Sequence, residues 1–202
     1  MKKILGLVMG LTFSAMLSQA ALIPILATSG ESVDNPGATT YFYTVSLADD
    51  EQLGTPGNDD MLVIYDFFGY VPGSLAIQDG AGSWTGEAVP GTGPYPTGAD
   101  DLEFGDTEEV NLVFRYTGIP TEGPQDPILS FTADSIYSAQ RLGDFQAMDS
   151  KNSPNPLEEG TPATNEGNVA VPANPIPEPA TLSLMAGALL SLGLLRRRRA
   201  TK

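Results

Sequence analysis

Three stretches of this chain alternate apolar and polar residues with a period of two. TTYFYTVSL places Tyr41, Tyr43, Val45 and Leu47 on one face. VNLVFRYTG does the same with Val110, Leu112, Phe114 and Tyr116, and sets Asn111, Arg115 and Thr117 mostly opposite. PILSFTADSIY keeps Leu129, Phe131 and Ala133 in register before Ile136 shifts it. Side chains two residues apart share a face only in an extended chain, so each stretch predicts a strand with one face in a core. MLVIYDFFGYV is more continuously apolar, which predicts a strand buried on both sides or one ending in a bend at Gly69. Shorter strand candidates are SLAIQ, GSWTG and NVAVP. No amphipathic helix of any length is legible in this region.

Gly and Pro punctuate these runs, and no internal repeat is visible. DGAGSWTGEAVPGTGPYPTGADD is predicted to be a surface loop, with Trp84 either capping the end of the core or standing exposed. Many short strands rich in β-branched and aromatic residues predict an all-β fold, an antiparallel β-sandwich or a partly open barrel. This body spans residues 21–148. Residues 149–175 have the Pro-, Asn- and Gly-rich composition of a linker, in which Val169 and Val171 add a closing edge strand.

Both ends of the chain read as addresses rather than as parts of the body. Lys2 and Lys3 precede an apolar stretch from Ile4 to about Leu17, and Ser18 and Ala20 then stand at the −3 and −1 positions of a cut before Ala21. This is the layout of a cleaved secretory signal, residues 1–20, with signal peptidase as the partner it implies. The apolar run is shorter than the roughly 20 residues a membrane-spanning helix needs. At the other end, Ala180 to Leu195 carries no charge, and Arg196, Arg197, Arg198 and Arg199 follow, with Lys202. As a helix this run rises about 24 Å, slightly less than the ~30 Å hydrocarbon core of a bilayer. The arginine cluster resists crossing and keeps to the cytoplasmic side, which leaves the body outside. Pro177 and Pro179 disfavour helix before them, so Pro-Glu-Pro is expected to stay extended at the membrane face.

Taken together, PEPATLSLMAGALLSLGLLRRRR resembles the PEP-CTERM sorting tail of Gram-negative exported proteins. The resemblance covers residues 176–202, with the motif, the short apolar helix and the Arg cluster in order. It implies recognition of Pro177, Glu178 and Pro179 by an exosortase, a membrane-embedded cysteine-type transpeptidase or protease, with Arg196 to Arg199 as the stop. It also implies a place at the cell surface or in an exopolysaccharide matrix. The expected order is therefore an N-terminal signal helix, the β-body, the linker and a short C-terminal hydrophobic helix.

Charge narrows the function classes. All 25 acids lie between Glu31 and Glu178, where only Arg115, Arg141 and Lys151 are basic, so residues 21–179 carry a formal −22. Such a body repels phosphate backbones, which argues against nucleic-acid binding. The chain has no Cys and no His, which excludes disulfides, thiolate or imidazole metal ligands and the usual Ser-His chemistry. The densest acidic run, ADDLEFGDTEE, offers Asp100, Asp101, Glu103, Asp106, Glu108 and Glu109. Calcium takes six to eight oxygen ligands and suits a carboxylate-bearing loop, with Asp59 and Asp60 as further ligands. The spacing departs from the EF-hand pattern, however, and a solvated charge run is the competing reading. Paired carboxylates serve glycosidases only at about 5 to 9.5 Å across a cleft, which acids this abundant do not specify. No lysine and helix start follow the Gly-rich loop to cradle a phosphate. Trp84, Tyr95, Tyr70 and Tyr137 are the rings available for stacking on a sugar, or for packing the core. The expectation is a non-catalytic structural or interaction protein without a cofactor. The alternative is a carbohydrate- or calcium-binding module on the same scaffold.

Overall fold

A computed structural model of the chain describes residues 22–80, 82–91 and 109–174. These form eleven strands: β1 (Leu22–Glu31), β2 (Thr39–Leu47), β3 (Glu51–Leu53), β4 (Met61–Phe67), β5 (Ala76–Asp79), β6 (Trp84–Pro90), β7 (Val110–Tyr116), β8 (Thr121–Glu122), β9 (Gln125–Ser135), β10 (Gln140–Lys151) and β11 (Pro162–Pro172). Among the described residues there is no helix, and every strand pairing is antiparallel. One sheet runs β1-β2-β9-β5 and the other β6-β7-β4-β10-β3-β8, with β11 along the opposite edge of β10. The fold is thus all-β, and its two antiparallel sheets are consistent with a β-sandwich.

The periods read from sequence set which side chains meet. Tyr41, Tyr43, Val45 and Leu47 of β2 and Leu129, Phe131 and Ala133 of β9 are buried from the first sheet. Leu62, Ile64, Leu112, Phe114, Phe145 and Ala147 join them from the second in one core. Phe131 sits between the sheets, stacked on Tyr43 at 5.0 Å and tilted against Phe114 at 4.2 Å. Strand β4 explains its unbroken apolar run. Leu62 and Ile64 face the main core, while Met61, Val63 and Tyr65 join Val113 and Met148 in a second buried cluster. A register shift between Ile64 and Phe67, with Asp66 at a positive φ of 54°, then returns Phe67 to the main core.

Two expectations need correction. Residues 149–175 hold the expected closing edge strand through Val169 and Val171, but it is longer than expected and leaves less linker. Strand β10 continues to Lys151, and β11 pairs with it along its length, from Gln140↔Pro172 to Ser150↔Pro162. Polar residues misled the sequence reading here, because Asp149, Ser150 and Gln146 are buried inside the sheet rather than solvated. Within the stretch 79–101, expected to be a surface loop, the strand candidate GSWTG is found and runs further than expected, since Trp84–Pro90 forms β6 against β7. Gly86 opposes Phe114, and a Cβ there would come to 3.0 Å from the Phe114 ring. A glycine that marks a loop in sequence thus makes room for a core aromatic.

The chain enters and leaves the body at opposite ends. Leu22 begins β1 buried, and its carbonyl accepts a hydrogen bond from Asn165 Nδ2 (3.4 Å) at one end. At the other, Ala173 N–H donates to Ala139 O (2.8 Å), close to where Gln140 Nε2 donates to Ser29 Oγ (2.9 Å).

Candidate functional site

At the end where β11 finishes, the β1–β2 turn and the β4–β5 connection fold against the last residues of β9. Asp134 gathers them. Its Oδ2 accepts hydrogen bonds from Ser32 Oγ and Asn35 Nδ2, both at 2.6 Å, and its Oδ1 from Thr40 Oγ1 at 2.6 Å. Its own N–H donates to Ser74 Oγ (2.9 Å). Burial tends to raise the pKa of this carboxyl, but the three side-chain donors outweigh it and hold it below the ordinary 3.8. Beside this anchor lies an open polar groove of about 480 Å³, lined by Glu31, Asn35, Thr40, Ser74, Gln78 and Thr132 among others. Hydroxyls, amides and carboxylates line it without an aromatic ring, a chemistry suited to a hydrated polar ligand.

The opposite end holds a buried acidic cluster. Glu51 of β3 and Asp149 of β10 are almost fully buried, and Asp60, just before β4, is only 3% exposed. Lys151 Nζ is ion-paired to Glu51 Oε1 and lies 3.4 Å from Asp50 Oδ2. Asp60 accepts from Gly54 N–H (2.5 Å) and Ser150 Oγ (3.4 Å). Neither oxygen of Asp149 has a hydrogen-bond partner among the described residues, nor does Glu51 Oε2, and the Glu51 carboxyl acts on Asp149. Burial first, and then the neighbouring Glu51 charge, push Asp149 up to about 9. Burial also raises Glu51 and Asp60. Among the described residues no three acids converge closely enough to hold a metal ion.

The residues singled out from sequence fare unevenly. Ala20, Ala21, Pro177, Glu178, Pro179, Arg196, Arg197, Arg198 and Arg199 lie outside the described residues, as do Asp100, Asp101, Glu103, Asp106 and Glu108. Asp59 and Asp60 separate: Asp59 is ion-paired to Arg115 at 2.6 Å, while Asp60 turns into the buried cluster. Trp84 packs edge-on to Tyr116 at 5.1 Å and is 3% exposed, the core-capping alternative. Tyr70 is half-buried against Phe67, Tyr137 is half-buried, and Tyr95 lies outside the described residues. No exposed row of rings forms among the described residues.

Sequence reasoning passed over Asp134, Glu51, Asp149 and Lys151, because 25 acids give no reason to single out three. One signal was there. In FQAMD, Asp149 stands in phase with Phe145 and Ala147, two core residues. No family model matches the chain, and neither curated proteins nor solved structures yield a match.

Proposed function

We propose that this chain is an exported protein of a Gram-negative cell envelope, sorted by its C-terminal tail, whose β-sandwich body is a non-catalytic structural or interaction component of the surface or the exopolysaccharide matrix. One observation carries the reading: Pro177-Glu178-Pro179, an uncharged Ala180–Leu195 run and Arg196–Arg199 occur in that order behind an N-terminal signal. A signal helix and a short apolar tail helix flank the body in this reading, and signal peptidase and exosortase act on them. Two features of the body support a non-catalytic role. Two carboxyls that act on each other, Glu51 and Asp149, are sealed from solvent, where no substrate reaches them. The buried acid beside its open groove, Asp134, is already saturated by hydroxyl and amide donors.

Mass spectrometry of the protein recovered from cells and medium tests this. The expected product begins at Ala21 and ends near Pro-Glu-Pro. A surface-located product that keeps Arg196–Arg199 rejects the sorting model. A second reading, carbohydrate binding by the body, rests on the polar groove beside Asp134. Titration with soluble exopolysaccharide, read by amide shifts at Thr40, Gln78 and Thr132, separates a binding module from a purely structural one.

A further inference from the structure

The body and the sorting motif are almost contiguous. Ala173 is hydrogen-bonded to Ala139, and only residues 174–176 lie between it and Pro177 in the sequence. At ~3.3–3.6 Å per residue, the α-carbons of Asn174 and Pro177 are at most ~11 Å apart. Most of the spacer expected from sequence is taken up by the end of β10, the β10–β11 connection and β11. In the sorting-tail reading the uncharged run 180–195 sits in the bilayer, which puts the end of the body that the tail leaves within reach of the headgroup layer, since that layer extends only several ångströms beyond the hydrocarbon core.

The geometry points to an end-on orientation in which the β1–β2, β4–β5 and β9–β10 connections rest on the bilayer surface, contacting zwitterionic lipid through Val33, Ile136 and Leu142. This inference rests on the sorting-tail reading and deepens it. The three side chains are 92%, 61% and 70% exposed and stand at the tail-exit end. Ile136 N–H is bonded to Gly69 O, and Tyr137 O and Ala139 O accept from Tyr41 Oη, which fixes this end to the core. Phe68 and Tyr137 are half-buried beside it, and Arg141 lies 4.6 Å from the Phe68 ring centroid while pairing with Asp66 at 2.8 Å. Apolar side chains with half-sheltered rings and a long cation suit the layer between water and hydrocarbon. Exposed Glu31 and Asp34 at the same end favour an uncharged lipid surface over an anionic one.

Exposure alone does not choose between the two ends, since Ile119 (81%) and Leu157 (87%) are bare at the far one. The tether does. The chain enters at the far end, through Leu22 beside Asn165, so removal of the signal leaves the tail as the single attachment.

The chain has no cysteine, which makes single-site labelling clean. The full chain is made in a Gram-negative host lacking a tail-processing enzyme, purified with its tail and reconstituted in phosphatidylcholine vesicles. Ile136→Cys, Val33→Cys and Leu157→Cys each carry a polarity-sensitive fluorophore, quenched by spin-labelled lipid. Quenching at positions 136 and 33 is expected to exceed that at 157 by about threefold or more. Equal quenching at both ends, stronger quenching at 157, or none at 136 in vesicle-bound protein overturns the orientation while leaving the tail reading intact. Protein that keeps its tail yet stays off the vesicles overturns the tail reading, and the orientation with it.

Discussion

Asp149 and Asp134 are both acids in buried surroundings, and their neighbours drive them in opposite directions. Asp149 has burial and the Glu51 charge against ionisation, and its pKa rises to about 9. Its protonated form contributes stability that is full below the ordinary 3.8 and is lost as pH rises through about 9. Unfolding by urea should therefore show stability falling by on the order of 3 kcal/mol between pH 5 and pH 9. Asp149→Asn, which keeps the shape and removes the titration, should flatten that slope by at least about half. An unchanged slope in the variant would show that the titration belongs to another group. Asp134 has the reverse sign. Three donors hold its pKa below the ordinary 3.8, so its stabilisation is present above that value and is lost as pH falls through the depressed one. Asp134→Ala should cost about 2–4 kcal/mol, because it leaves Ser32, Asn35 and Thr40 without their acceptor. Hydrogen exchange should find the 32–38 turn opening first in acid and the β3–β10 contact opening first in alkali.

Strands show how much of the fold was legible and why some of it was not. β2, β7 and β9 were readable because one face of each meets the core and the other meets water or polar groups, which writes a period of two. β10 was not, because both its faces are covered. Phe145 and Ala147 fill one side, Met148 the other, and Gln146 is bonded through Oε1 to Tyr65 Oη at 2.7 Å. β1 was missed because it contains Pro24, which an edge strand tolerates. Close approaches between strands are invisible in the same way. A Cβ on Gly123 would lie 1.7 Å from the Ala48 carbonyl oxygen, whereas one on Gly30 meets nothing within 4 Å. Gly123→Ala should lose about 2–4 kcal/mol in thermal or urea melts, and Gly30→Ala should stay within about 0.5 kcal/mol of the parent.

The two sheets share one core, so the last strand matters to all of it. Val169 and Val171 of β11 are buried with Phe145 and Leu22, and β11 covers an edge of β10 from end to end. A chain stopped after Lys151 should fail to give a cooperative melt by circular dichroism, because it loses those side chains and bares the β10 edge. A chain stopped after Asn174 should melt as cooperatively as the longer one. Were residues 149–175 a spacer, the two truncations would behave alike.

Local order along the chain was enough to establish the all-β character, the core faces of β2, β7 and β9 and the acidic body, and it carries the address-like pattern of the two ends on which the proposed function rests. Each of these is written in neighbouring residues: an alternation, a charge count or a motif of fixed order. The partnership of Glu51 with Asp149, the saturation of Asp134, the absorption of the supposed spacer into β10 and β11, and the exit of the tail opposite to the entry of the chain are different in kind. The first two join positions about a hundred residues apart, as Asp134 does with Ser32 and Asn35. A carboxylate's environment, and hence its charge, exists only once folding has brought those positions together.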